Sequence, residues 1–343
     1  MKHQSDEMFH SRKHRIHVFA SKIAAVDALA SFLEGPRARG AFVLRSILDP
    51  PWSLRIQDEA PLTVVAMVRG RTWFVPDDGE PVVLGAGDVA IIRGPAPYTV
   101  ADHPDTLPTV VIHHGGHCTT LDGESLADAM GLGVRTWGTS TSGDDVMLTG
   151  TYQTDGEVSR WLLDALADLT VLRSGTWTCP VIPLLAEEIT RDEPGQEVVL
   201  DRLLDLLLVA ALRASFARPE AGAPAWYRAQ SDPVVGRALK LMHNDPGRPW
   251  TVAGLAEGAG VSRAALARRF HDLVGEPPMT FLTGWRMALA ADLLLEPEAS
   301  VGNVSRQVGY GSPFTFSTAF KRAYGLSPRA YRDRERSAAR QAG

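Results

Sequence analysis

Two stretches near the C-terminal end repeat each other, and this repeat constrains the fold more than anything else in the 343 residues. Setting Phe270 on Phe320, an offset of 50, also places Ser262 on Ser312, Leu266 on Phe316, Gly275 on Gly325 and Pro278 on Pro328. Before each serine the offset falls to 49, so that Leu255 meets Val304, Ala256 meets Ser305 and Gly260 meets Gly309. A one-residue difference located in a turn is what two copies of one supersecondary unit tolerate. Each copy predicts a short helix, a turn at a glycine, a serine that caps a second helix, and a glycine that ends it. Small residues at Ala256 and Ser305 let the two helices cross closely, which completes the pattern of a helix-turn-helix. The apolar run "MTFLTGWRMALAADLLLE" predicts a helix joining the copies, and "DPVVGRALKLMHND", with Asp232 as cap and Pro233 at the first helical position, predicts another before them.

Charge divides the chain in the same place. Residues 230–343 hold 15 Lys and Arg against 10 Asp and Glu; the 20 and 30 that remain of the totals 35 and 40 give residues 1–229 a net charge of -10, within -5 for the whole. A basic module favours polyanions and an acidic one avoids them. Residues 226–343 are therefore expected to form a separate all-α domain.

The runs "LAEGAGVSRAALARRFHDLVGEPPMTFL", "WRMALAADLL" and "VGNVSRQVGYGSPFTFSTAFKRAYGLSPRAYR" resemble the DNA-binding domain of the AraC/XylS family of bacterial transcription regulators. The second copy carries the more specific match, through Gly309, Tyr310, Ser312, Phe316, Phe320, Lys321, Arg322, Gly325, Pro328, Tyr331 and Arg332. The resemblance implies sequence-specific binding of a double-stranded DNA operator. A recognition helix puts its first solvent-facing residues into the major groove while later basic residues meet phosphates. In the first copy the expected DNA-facing residues are Arg263, Ala264, Ala265, Arg268 and Arg269, with Arg268 expected to make a bidentate contact to guanine. In the second they are Ser312, Pro313, Phe314, Ser317, Thr318, Lys321 and Arg322. Relatives often carry basic or amide side chains where this chain has Pro313, Phe314 and Thr318, which favours methyl contact or phosphate anchoring there. Leu266, Phe270, Phe316 and Phe320 are expected in the core.

Upstream, from about Ala41 to Ile112, short β-branched and aromatic runs alternate with turn residues, as in "TVVAMVRGRTWFV", "DDGE" and "PVVLGAGDVAIIRGPAPYTV". Such spacing predicts an antiparallel barrel or jelly roll. The stretch "GEPVVLGAGDVAIIRGPAPYTVADH", with its turn at Gly87 and Asp88, resembles the second half of a cupin barrel. The histidine pair a metal-dependent cupin would carry is missing from "LTVVAMVRGRTWFV", so no metal and no cofactor is expected. Residues 1–180 are read as this cupin-like sensor. Residues 181–225 are read as a helical dimerisation segment and linker. The broad face of Leu200, Leu203, Leu204, Leu207 and Leu208 suits a partner chain or the chain's own core, and "ARPEAGAPAW" suits a linker.

Two cysteines, Cys118 and Cys179, are too few for a disulfide framework. His113, His114, His117 and Cys118 crowd the segment "IHHGGHCTT", a candidate for sensing, though Gly115 and Gly116 make it a loop without standard ligand spacing. No nucleophile elbow, phosphate-binding loop or dinucleotide fingerprint is present, so no catalytic residue is expected. The N-terminal "MKHQSDEMFHSRKHRIHVF" lacks a following apolar region, and no run of about 18 apolar residues occurs, so the cytoplasm is expected and no membrane contact.

The sequence thus describes an α+β multidomain transcription regulator, not an enzyme: a cupin-like β-barrel, a helical segment, and an all-α domain with two helix-turn-helix motifs. Its expected partners are operator DNA, a small-molecule or redox effector, a second copy of itself in a homodimer, and RNA polymerase if it activates. The rival readings are a metal-dependent cupin enzyme with a DNA-binding tail, and a constitutive repressor whose barrel only dimerises.

Overall fold

The computed structural model describes residues 42–152, 156–218 and 223–342. The basic stretch from Met1 to Phe19, and Pro219 to Gly222 of the expected linker, lie outside them. The chain divides between Pro224 and Ala225 into two compact units.

The first unit is a two-sheet β structure. One sheet has seven strands in the order β10-β11-β1-β12-β3-β6-β13, and the other six in the order β5-β4-β7-β2-β8-β9. The strands of the first are β1 (Phe42–Leu48), β3 (Leu62–Arg69), β6 (Val89–Arg93), β10 (Gly131–Gly133), β11 (Thr136–Gly138), β12 (Asp145–Tyr152) and β13 (Leu169–Leu172). Those of the second are β2 (Ser53–Gln57), β4 (Arg71–Pro76), β5 (Val82–Gly85), β7 (Tyr98–Ala101), β8 (Val110–His113) and β9 (Cys118–Thr119). Between the sheets lies one apolar core holding Trp52, Leu54, Met67, Phe74, Ile92, Tyr98, Trp137 and Met147. The turn at Gly87 and Asp88 is fixed by the buried Asp88 carboxylate. It accepts the Gly85 amide at 3.0 Å, the Ser174 amide at 2.8 Å and the Arg173 guanidinium at 2.8 Å. Burial alone would raise the Asp88 pKa, but these donors hold it below the usual carboxylate value.

Antiparallel strands with one wet face alternate buried and exposed residues, yet β3 begins with six consecutive buried positions. Its second face is covered by helices. These are α2 (Val181–Glu188) and α3 (Gln196–Phe216), which follow the short α1 (Glu157–Leu163). Leu204 lies against Gly150 of β12, where a Cβ would come within 2.7 Å of its methyl, and the Tyr152 hydroxyl donates to the Leu204 carbonyl at 2.9 Å. Leu200, Leu204, Leu207, Leu208 and Leu212 are at most 1% exposed. Each contributes roughly 2 kcal/mol by burial. The leucine face assigned to a separate dimerisation segment at 181–225 is therefore largely satisfied inside the chain's own β unit. A second, narrower stripe on α3 stays accessible, with Val199 44% and Leu206 52% exposed.

Among the described residues the second unit is all helical: α4 (Ala225–Ala229), α5 (Val235–Asn244), α6 (Val252–Ala259), α7 (Arg263–Val274), α8 (Pro278–Leu295), α9 (Val301–Gln307), α10 (Pro313–Tyr324) and α11 (Pro328–Ala342). The repeat maps directly onto it, with α6 and α7 forming one copy and α9 and α10 the other. α8 belongs to both. Phe281 on its first half packs edge-on to Phe270 at 5.8 Å, while Met287, Ala290, Ala291 and Leu294 on its second half share a core with Val304, Phe316, Phe320 and Tyr331. A helix apolar on all sides is one buried between two partners.

Candidate nucleic-acid interface

Both second helices begin where a serine can satisfy their open amides. Ser262 Oγ accepts from the Ala265 amide at 3.2 Å and Ser312 Oγ from the Thr315 amide at 3.2 Å. Each helix ends at a left-handed glycine, Gly275 with φ 92° and Gly325 with φ 74°. Leu266, Phe270, Phe316 and Phe320 are all fully buried, as expected of the matched core positions. Their inward direction turns the remaining residues of α7 and α10 to solvent.

On α7, Arg263, Ala264, Arg268 and Arg269 are exposed, and Ala265 and Ala267 half-buried. Arg268 has no hydrogen-bond or ion-pair partner among the described residues. It lines a hollow with Val234, Val261, Ala265, Arg269 and Asp272. Arg269, expected beside it as a DNA-facing residue, lines the same hollow but is paired to a carboxylate. Its Nε and Nη2 donate to Asp232 Oδ2 at 2.8 and 2.6 Å, while Oδ1 of the same carboxylate accepts the Val234 and Val235 amides at 3.0 and 2.9 Å. Burial would raise the Asp232 pKa, but the Val235 amide, Arg269 and the Val234 amide hold the carboxyl below its ordinary value. One guanidinium of the adjacent pair is thus committed to the start of α5, and the other is available.

On α10, Pro313, Phe314 and Thr318 are exposed and Ser312 and Ser317 half-buried, with Lys321 and Arg322 exposed one turn further on. The Ser317 hydroxyl donates to the Pro313 carbonyl at 2.7 Å and that of Thr318 to the Phe314 carbonyl at 3.1 Å. Phe314, Ser317, Thr318, Lys321, Arg322 and Ser327 line a second hollow.

The two motifs are joined by more than α8. Arg286 on that helix donates from Nε to the Pro246 carbonyl at 2.8 Å and from Nη2 to the Arg248 carbonyl at 2.7 Å, gripping the loop before α6. Gly309, in the turn of the second motif, lies so close that a Cβ would fall 2.6 Å from the Gly247 carbonyl oxygen and 2.8 Å from Arg286 Nη2. The loop ahead of one motif therefore touches the turn of the other, and their separation is set by backbone contact.

Comparison with known proteins places these features. Residues 27–217 match the family described as Cupin, and residues 255–334 match the family described as Helix-turn-helix domain. Over 318 residues, 90% of this chain and 98% of the relative, the chain is 33% identical to a putative AraC-like transcription regulator of Streptomyces lividans. The chain belongs to the AraC family of DNA-binding transcription regulators. A putative AraC-like transcription regulator of Streptomyces antibioticus is 31% identical over 90% of this chain and 98% of its own length, and the HTH-type transcriptional regulator AlkR of Acinetobacter baylyi 27% identical over 90% and 99%. In this AraC-family chain, no helix among the described residues is long and apolar enough to cross a membrane.

The histidine-rich segment of the regulator forms the connection between β8 and β9. The His113 amide donates to the His117 carbonyl at 2.8 Å, and Gly115 and Gly116 take φ 76° and 78° to close the loop. The rings diverge, since His113 Nε2 meets Thr119 Oγ1 at 3.0 Å, His114 Nδ1 meets the Asp58 carbonyl oxygen at 3.2 Å, and His117 is exposed. Cys118 is buried in the barrel core. Among the described residues no three His, Cys, Asp or Glu side chains gather so as to hold a metal ion.

Sequence reasoning missed the Asp232–Arg269 pair and the Arg286 grip. Asp232 was readable as a cap, but nothing in the sequence ties it to a residue 37 positions later. For Arg286, a lone cation within an apolar helical run was the available signal.

Proposed function

We propose that the regulator reads an asymmetric operator with α7 and α10 in successive major grooves, about 10 base pairs apart. Arg268 contacts guanine, Arg263 and the alanines Ala264 and Ala265 flank it, and Lys321 and Arg322 anchor phosphates. The observation that carries this reading is the fixed spacing of two recognition helices on one shared helix, with an exposed Arg268 on the first that has no partner among the described residues. The same reading assigns to the β unit the reception of a small-molecule or redox signal, with the segment His113, His114, His117 and Cys118 as the place to look. The stripe of Val199 and Leu206 on α3 supports a homodimer contact. A coupling of only about 1–3 kcal/mol between signal and DNA affinity suffices for control. As an activator the protein would act through RNA polymerase.

Selection from a pool of random duplexes by the full-length protein tests the reading. It should return one sequence with two preferred elements separated by about one helical turn. Enrichment of a single short element, or of none, would overturn it.

A further inference from the structure

We infer that the second motif identifies its half of the site by the methyl group of a thymine, with Phe314 as the residue that reads it. The inference rests on the reading of α10 as the second recognition helix and specifies what that helix recognises.

Phe314 is 80% exposed on the first turn of α10. Its neighbours Phe316 and Phe320 supply the core, so packing does not explain a phenyl ring held in water. The helix residues next to it have no free proton to offer a base, and the donors that share its hollow, Lys321 and Arg322, stand one turn further on. Pro313 has no amide hydrogen. The hydroxyls of Ser317 and Thr318 donate back to the Pro313 and Phe314 carbonyls. The Thr315 hydroxyl donates to the Ser312 carbonyl at 2.9 Å. With its hydroxyl turned onto the helix, Thr318 meets a base with its methyl.

The major-groove edges of guanine and adenine call for side-chain donors or a paired amide, and the first turn of α10 has none free, while Lys321 and Arg322 are read as phosphate contacts; the C5-methyl of thymine is the apolar group on those edges. The hollow that Phe314 lines also holds Ser317, Thr318, Lys321 and Arg322, so cations would hold the duplex against an apolar reader. On α7 the position that matches Thr318 under the repeat is Arg268, an exposed cation. One half of the operator is thus read by charge-assisted hydrogen bonds and the other by apolar contact.

The test replaces each thymine of the selected duplex by uracil, which removes the methyl and leaves the pairing edge unchanged. Dissociation constants are measured for the full-length wild type and for Phe314→Ala, whose exposed site tolerates the change. Wild type should weaken about fourfold at one or two thymines in the half farther from the guanine that Arg268 needs, the scale expected for one buried methyl. Phe314→Ala should bind thymine and uracil duplexes alike at those positions. A flat uracil scan of wild type on a duplex that Arg268 still discriminates overturns the thymine inference and leaves the regulator reading standing. Equal uracil penalties in wild type and variant overturn the role of Phe314. Failure of the selection itself overturns both readings together.

Discussion

Asp232 carries two duties that substitution separates. Its Oδ1 caps α5 through the Val234 and Val235 amides, and its Oδ2 holds Arg269. Removing a capping carboxylate costs about 0.5–2 kcal/mol. The ion pair, with the carboxylate 13% and the guanidinium 50% exposed, adds about 0.2–1 kcal/mol. Asp232→Ala should therefore lose about 1–3 kcal/mol. Asp232→Asn keeps the capping oxygen but sets an amide NH2 against Arg269 in place of the accepting Oδ2, so it loses the whole ion pair and should lose about 0.5–1 kcal/mol. Urea titration of the full-length chain followed by circular dichroism measures both. Because the folded-state pKa of Asp232 lies below its unfolded value, its contribution is present above about pH 4 and is lost as pH falls through the folded value. The advantage of wild type over Asp232→Asn should shrink accordingly in acid. The same pair has a consequence for DNA binding. A guanidinium held by Asp232 releases no counterion from DNA, so Arg269→Ala should leave the slope of log K against log salt unchanged. A slope shallower by about 0.9 in Arg269→Ala would show Arg269 on a phosphate and refute the reasoning.

Three further substitutions bear on the account. Asp88→Asn leaves at least one of its partners unmet at the Gly85, Ser174 and Arg173 cluster, and should lower stability by about 2–3 kcal/mol at neutral pH in a denaturant titration, with the deficit narrowing as acid protonates the wild-type carboxylate. Gly309→Ala combines a left-handed φ of 81° with a Cβ 2.6 Å from the Gly247 carbonyl oxygen, and should cost about 2 kcal/mol or more while blurring the preferred spacing between the two DNA elements. Replacing both Lys321 and Arg322 by alanine should weaken binding nearly equally for all sequences and flatten the salt slope by about 1.8, measured by fluorescence anisotropy.

The helical unit was legible because its determinants are local. A serine three residues before the amide it caps, a glycine at a left-handed terminus, and aromatic residues spaced one turn apart are neighbours in sequence and in space. The repeat supplied a second reading of each, so Ser262 and Ser312, or Phe270 and Phe320, corroborated one another. The β unit was legible only where a strand and its turn lie together, as at Gly87 and Asp88. Pairing of β1 with β12 joins Phe42 to Thr151, and β6 with β13 joins Val89 to Leu172, across separations that no periodicity encodes. The leucine run of α3 showed that something covers it, and whether that is a sheet or a second chain depends on the outer face of β3, whose continuous burial becomes meaningful only once its neighbours are known. In the interface, side-chain identity was readable and side-chain commitment was not. Arg268 and Arg269 are adjacent and chemically equal, and the difference between them comes from Asp232.

Whether Arg268, without a partner among the described residues and carried on α7 at a fixed distance from α10, reads sequence is decided by the binding of wild type and Arg268→Ala to the selected operator and to a variant with the guanine of the first element replaced. Across a series of salt concentrations, wild type should prefer the operator by about 1–3 kcal/mol and Arg268→Ala should bind both duplexes with nearly the same affinity. If Arg268→Ala keeps the full preference and loses only overall affinity, Arg268 is a phosphate contact and the account of the interface is wrong.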